Sequence, residues 1–134
     1  MIELYEKSVS SQRGTTYYWT NEIESVVSLV FLPGLTADHR LFESQLSVFK
    51  NAFKVLVWDC PGHGKSRPYS DFTYENAVTV MLKILNELQI KKVVLIGQSM
   101  GGYVGELDKI LIFVENMKLE RMEEAMFHEN LHPF

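Results

Sequence analysis

Four consecutive apolar residues, Val93-Val94-Leu95-Ile96, run directly into Gly97-Gln98-Ser99-Met100-Gly101-Gly102 near the middle of the chain. An apolar run this short, three of its four residues β-branched, reads as a strand buried on both faces. Glycines two positions before and two after Ser99 then give the spacing of a sharp turn from strand to helix. Such a turn projects a nucleophilic serine from a strained backbone and lets strand and helix cross closely. A fold that uses this segment needs further strands beside it and helices to cover both faces.

The rest of the chain supplies them. Ile2 to Val9 loosely alternates and Thr15 to Thr20 is rich in β-formers, with Gly14 and then Asn21-Glu22 as turn signals, which predicts an antiparallel pair at a sheet edge. Val26-Val27-Ser28-Leu29-Val30-Phe31-Leu32 is nearly continuous apolar and stops at Pro33-Gly34, a second buried strand. Asp38 is placed to cap a helix in which Phe42, Leu46 and Phe49 recur at helical spacing through Lys50. Phe53 to Trp58 returns to strand, and Asp59-Cys60-Pro61-Gly62-His63-Gly64-Lys65-Ser66-Arg67-Pro68 is a loop dense in breakers. Thr73 caps a further helix whose apolar face is Tyr74, Ala77, Val78, Met81, Leu85 and Leu88, ending near Gln89. Strands alternating with helices predict an α/β fold: a mostly parallel sheet of about five strands flanked by helices, in a single domain spanning residues 1–134.

Three of these segments, in order and spacing, carry a resemblance. Phe31-Leu32-Pro33-Gly34-Leu35, Asp59-Cys60-Pro61-Gly62-His63-Gly64-Lys65-Ser66 and Gly97-Gln98-Ser99-Met100-Gly101-Gly102 resemble the oxyanion loop, the loop after the fourth strand and the nucleophile elbow of an α/β-hydrolase. The likeness covers the N-terminal half of that family's fold, from about Val26 to Gly105. It implies a serine hydrolase of the esterase or lipase kind, working without a cofactor on a small-molecule acyl substrate. Ser99 is the implied nucleophile, and the backbone N–H groups of Leu35 and Met100 are the implied oxyanion donors. Pro33 stands where the family usually has His. The resemblance makes Asp59 a brace for the Pro-Gly loop and His63 a structural loop residue, while His39 is a capping or pocket-rim residue.

Residues 106–134 do not match the family, whose later strands carry the acid and the histidine of the triad. A serine hydroxyl needs a hydrogen-bonded base, and the base needs a third group to hold its tautomer. Ile110 to Val114 read as a strand ending at Glu115 would give the order Ser99, Glu115, then His128 or His132, a small copy of the family order. A parallel crossover through roughly nine residues is short for that arrangement. Tyr103, Leu107, Ile110, Val114 and Met117 lie at helical spacing, so the favoured reading is a core over 1–105 and a helical tail over 106–134. The tail's apolar stripe would cover an open sheet edge or pair with a second copy as a homodimer. The alternative function is a truncated, catalytically inactive family member serving as a binding or self-assembly module.

Composition narrows the remaining classes. A net charge of −4 with scattered basic residues disfavours nucleic acid as a partner. The single cysteine, Cys60, rules out an internal disulfide, and it has neither metal nor redox spacing. The four histidines form no ligand cluster in the sequence, so no metal is expected. No apolar run approaches the roughly 20 residues of a membrane span, and no leader pattern opens the chain, so a cytoplasmic setting is expected.

Overall fold

The computed structural model describes residues 3–34, 37–98, 109–114, 122 and 126. Two strands open the chain, β1 (Tyr5–Ser11) and β2 (Gly14–Thr20), followed by β3 (Ser28–Leu32). A 3-10 turn over His39–Phe42 leads into α1 (Glu43–Phe49), and β4 (Val55–Trp58) returns to the sheet. A second 3-10 turn, Gly64–Ser66, precedes α2 (Tyr74–Glu87), after which come β5 (Val93–Gln98) and β6 (Lys109–Val114). All six strands form one sheet in the order β1-β2-β4-β3-β5-β6. Its centre, β4-β3-β5, is parallel, and β2 and β6 join that centre antiparallel on either side.

Alternation along the central strands explains the two-layer covering. Val30, Leu56, Trp58, Val93 and Leu95 are buried with Ala77, Val78, Met81, Ile84 and Leu85 of α2. Their immediate neighbours Leu29, Phe31, Val55, Val57 and Ile96 are buried instead with Phe42 and Leu46. Each strand therefore has an apolar side chain at nearly every position because successive residues face different helices. The chain moves one way across the sheet from β3 to β4 and the other way from β4 to β5. Right-handed crossovers in opposite directions place α1 and α2 on opposite faces.

The local signals behave as their chemistry requires. The Asp38 side chain accepts the Arg40 backbone N–H at the head of the 3-10 turn, and Thr73 Oγ1 accepts the Asn76 N–H at 3.0 Å at the head of α2. Gln89, with φ of +57°, ends the helical path just beyond α2. The predicted edge pair is the β1–β2 hairpin, closed by Gln12-Arg13 between Ser11 and Gly14. Gly14 has φ of +155°, and a Cβ there would sit 2.6 Å from the Pro68 carbonyl oxygen, so this turn needs glycine.

One stretch of the tail departs from the helical reading. Residues 109–114 form β6, which pairs along its whole length with β5, from Gln98 opposite Lys109 to Val93 opposite Val114. The objection to a strand here was a crossover too short for a parallel neighbour. An antiparallel neighbour needs only a connection that turns back on itself. Further along, Met122 and Met126 are buried in the cluster formed with α2, both with helical backbone.

Candidate active site

In an open sheet of this kind the crevice for a ligand lies at the carboxyl ends of the strands, where the strand order reverses. That point is β3, flanked by β4 and β5. Leu32, the last residue of β3, pairs with Gly97, so Pro33-Gly34 leaves the sheet beside the end of β5 at Gln98. The Gly34 carbonyl accepts the Ala37 N–H at 2.9 Å. Ser99, Leu35 and Met100, the nucleophile and oxyanion donors expected from the sequence, lie outside the described residues, as do Glu115, His128 and His132. The strand ends that lead into Leu35 and Ser99 are adjacent.

The loop after β4 is organised by Asp59, whose side chain is 1% exposed. Oδ1 accepts the His39 backbone N–H at 2.7 Å and lies 2.9 Å from His39 Nδ1, while Oδ2 accepts the Lys65 N–H at 2.8 Å. One carboxylate thus ties the α1 approach to the 3-10 turn after β4. Gly64 has φ of +49°, and a Cβ on it would meet Asp59 Oδ2 at 2.5 Å, so glycine is required where this loop folds over the carboxylate. Ser66 completes the brace: its hydroxyl donates to the Asp59 carbonyl at 2.7 Å and accepts the Tyr17 N–H at 2.9 Å. Its part was hidden in the sequence, where the Gly-His-Gly-Lys-Ser run reads only as a turn.

The histidines have separate surroundings. The His39 ring stacks on Trp19, with centroids 3.6 Å apart and planes 20° from parallel. Trp19 belongs to β2 and pairs with Val57 of β4, three strand positions from β5, or about 14 Å. His39 is therefore held at the far side of the carboxyl edge from the end of β5 and lines a surface cavity of about 450 Å³ with Trp19, Glu43 and Lys50. His63 Nδ1 lies 3.0 Å from the Pro61 carbonyl, which can only accept, so Nδ1 carries the proton. Its ring packs edge-on to Phe72. Both histidines hold loops.

Among the described residues, Asp38, His39 and Asp59 bring three potential metal-ligand atoms within 4.8 Å of one another. All three are already engaged. Asp38 is paired with the Arg40 guanidinium at 2.7 Å, which holds its carboxyl down at about 2 and sets a fixed cation beside any incoming one. Asp59 is taken up by the His39 ring and two backbone donors. The trio serves better as a loop clasp than as a metal centre. Cys60 is buried, and burial pushes its thiol up to about 12, so it is no nucleophile at neutral pH.

Because β6 is antiparallel to β5, it brings its first residue, Lys109, to the Gln98 end, and its last, Val114, to the Val93 end. The strand end leading into Glu115 is five residues away along β5 from Gln98, about 17 Å.

Comparison with known proteins agrees with this geometry. Residues 27–105 match the family model for the alpha/beta hydrolase fold. The chain belongs to that family. It is similar to 3-oxoadipate enol-lactonase 1 of Acinetobacter baylyi, 31% identical over 103 residues that cover 76% of this chain and 39% of the lactonase. It is also similar to the sn-1-specific diacylglycerol lipase ABHD11 of Danio rerio, 41% identical over 57% of this chain and 25% of the lipase. The fold superimposes on the crystal structure of the Cif epoxide hydrolase from Acinetobacter nosocomialis with a TM-score of 0.63 at 21% identity, covering 73% of this chain and 31% of that one. The chain thus spans well under half the length of these relatives. Among the described residues, no helix is long and apolar enough to cross a membrane.

Proposed function

We propose that the protein is a serine hydrolase that cleaves a carboxylic ester or related acyl bond through an acyl-enzyme on Ser99. The observation that carries this reading is the pairing of Leu32 with Gly97, which starts the Pro33-Gly34-Leu35 loop and the Ser99 segment side by side at the switch point of the sheet. Ser99 Oγ attacks the acyl carbonyl, and the backbone N–H groups of Leu35 and Met100 stabilise the charge that develops on its oxygen. Collapse of the tetrahedral intermediate expels the alcohol, and water then releases the acid. A lactonase and a diacylglycerol lipase among the relatives support an acyl substrate of this class.

A fluorophosphonate probe tests the nucleophile directly. The folded chain should be labelled on Ser99, and Ser99→Ala should abolish both labelling and turnover of a p-nitrophenyl ester. Ester turnover that survives in Ser99→Ala, or a folded chain that never takes the label, overturns the reading.

A further inference from the structure

β6 is the last strand of the sheet, and among the described residues none pairs with its outer edge. We propose that two copies of this chain associate through β6, antiparallel about a two-fold axis centred on Leu111, so that one sheet runs through both.

Which backbone groups line that edge follows from the bonds inside the sheet. The Ser28 N–H donates to the Lys92 carbonyl at 2.9 Å, while Ser28 pairs with Val93 in the parallel β3–β5 ladder. Alternate residues of a strand turn their N–H and C=O to the same neighbour, so Lys92, Val94 and Ile96 address β3 while Val93, Leu95 and Gly97 address β6. Their partners Val114, Ile112 and Ile110 therefore exchange hydrogen bonds with β5. The residues between them, Lys109, Leu111 and Phe113, turn their backbone N–H and C=O away from β5.

Those three positions are symmetric about Leu111. When two β6 strands pair antiparallel around that residue, Leu111 faces Leu111 of the second copy, Lys109 faces Phe113 and Phe113 faces Lys109. Each outward residue exchanges both its bonds with its counterpart, and no outward N–H or C=O is left over. Composition favours the same outcome. Ile110-Leu111-Ile112-Phe113-Val114 is uncharged, free of Pro and Gly and rich in β-formers, as in strands that accept another strand onto their edge. The opposite edge strand, β1, instead carries Glu6 and Lys7, with Glu6 bound to Lys65 Nζ at 2.6 Å, and charge of this kind blunts an edge. Met122 and Met126, the described residues beyond β6, are buried with Val93, Leu95 and α2, on a face of the sheet and not along its edge.

Sedimentation equilibrium and amide hydrogen exchange on the whole chain test this together. Weight-average mass should rise from one chain toward two between about 1 µM and about 1 mM, the range of a weak interface. In the dilute monomer the amides of Leu111 and Phe113 should exchange at least about 100-fold faster than those of Ile110 and Ile112, and the difference should close at high concentration. Leu111→Pro removes only an outward N–H, which an edge strand tolerates, and should hold the chain monomeric. Leu111→Cys should oxidise to a disulfide dimer, because paired Cα atoms about 5.5 Å apart suit one. Phe113→Cys should not, since this register sets the two copies of that position about 13 Å apart along the strands. Buried Cys60 is the unreactive background in both. A chain that stays monomeric throughout overturns the proposal. So does slow exchange at Leu111 and Phe113 in the monomer, which would mean that the chain covers its own edge. A dimer that survives Leu111→Pro, or Phe113→Cys cross-linking as readily as Leu111→Cys, puts the interface elsewhere and overturns it as well. Exchange in the wild-type chain decides the matter even if the proline variant unfolds.

Discussion

Asp59 holds His39 twice through one oxygen, by the backbone N–H at 2.7 Å and by imidazole Nδ1 at 2.9 Å, while Trp19 covers the ring. Two elements 20 residues apart in sequence are thereby fixed to each other at the carboxyl edge of the sheet. Asp59→Asn keeps the size of the side chain but turns an amide toward donors that need an acceptor, and it should cost about 3 kcal/mol in urea unfolding. His39→Ala removes only the ring contact and should cost about 1–2 kcal/mol. In a double-mutant cycle the two should couple by at least about 0.5 kcal/mol. Simple additivity would mean that the clasp is not felt in solution.

Asn21 shows the same economy at the opposite edge. It is fully buried, its amide donates to the carbonyls of Lys50 and Phe53 at 2.8 Å each, and its oxygen accepts the Val55 N–H at 3.0 Å. Three backbone groups of the α1–β4 connection depend on this one side chain. Asn21→Ala leaves them without their partner and should destabilise by about 3 kcal/mol or more. Asn21→Asp should be about as damaging, because it retains the acceptor and loses both donors. Chemical unfolding of the two variants tests this, and a loss under about 1 kcal/mol in either would contradict the clasp.

How far these features can be read from sequence depends on whether their cause is local. β3 and β4 are legible because continuous apolar runs have no other use in a chain of this composition, and α2 because Thr73 and a 3.6-residue stripe bound it. Ile110 to Val114 carry both periods, so their state is decided by pairing with β5, which no window along the chain can see. The stacking of His39 on Trp19 is hidden for the same reason, since it depends on β2 lying beside β4. At the candidate site the serine turn is a local pattern and was visible.

Met122 and Met126 join the same apolar cluster as α2. Met122 is fully buried, as is Met81 of α2. Met122 and Met126 therefore share the core with the family-like strands. Met122→Ala should cost about 2–5 kcal/mol, in the same range as Met81→Ala. Equilibrium unfolding should show a single transition shifted by both substitutions. A silent Met122→Ala would mean that the Met122 side chain contributes nothing to the core.

Asp38 gives the fold a defined acid response. Its carboxyl is held at about 2 chiefly by the hydrogen bond from the Arg40 side chain, below an ordinary aspartate at about 3.9. A carboxyl with a depressed pKa favours the folded state fully above its unfolded value and loses that contribution as pH falls through the folded one. The pair is largely solvated, so its contribution to stability is small. Asp38→Asn can still cap the turn but cannot pair with Arg40 as an ion. The stability gap between wild type and Asp38→Asn should therefore be constant from pH 7 to about 5 and close between about pH 4 and pH 2. Urea midpoints measured across that range check the sign, and a gap that widens on acidification would contradict it.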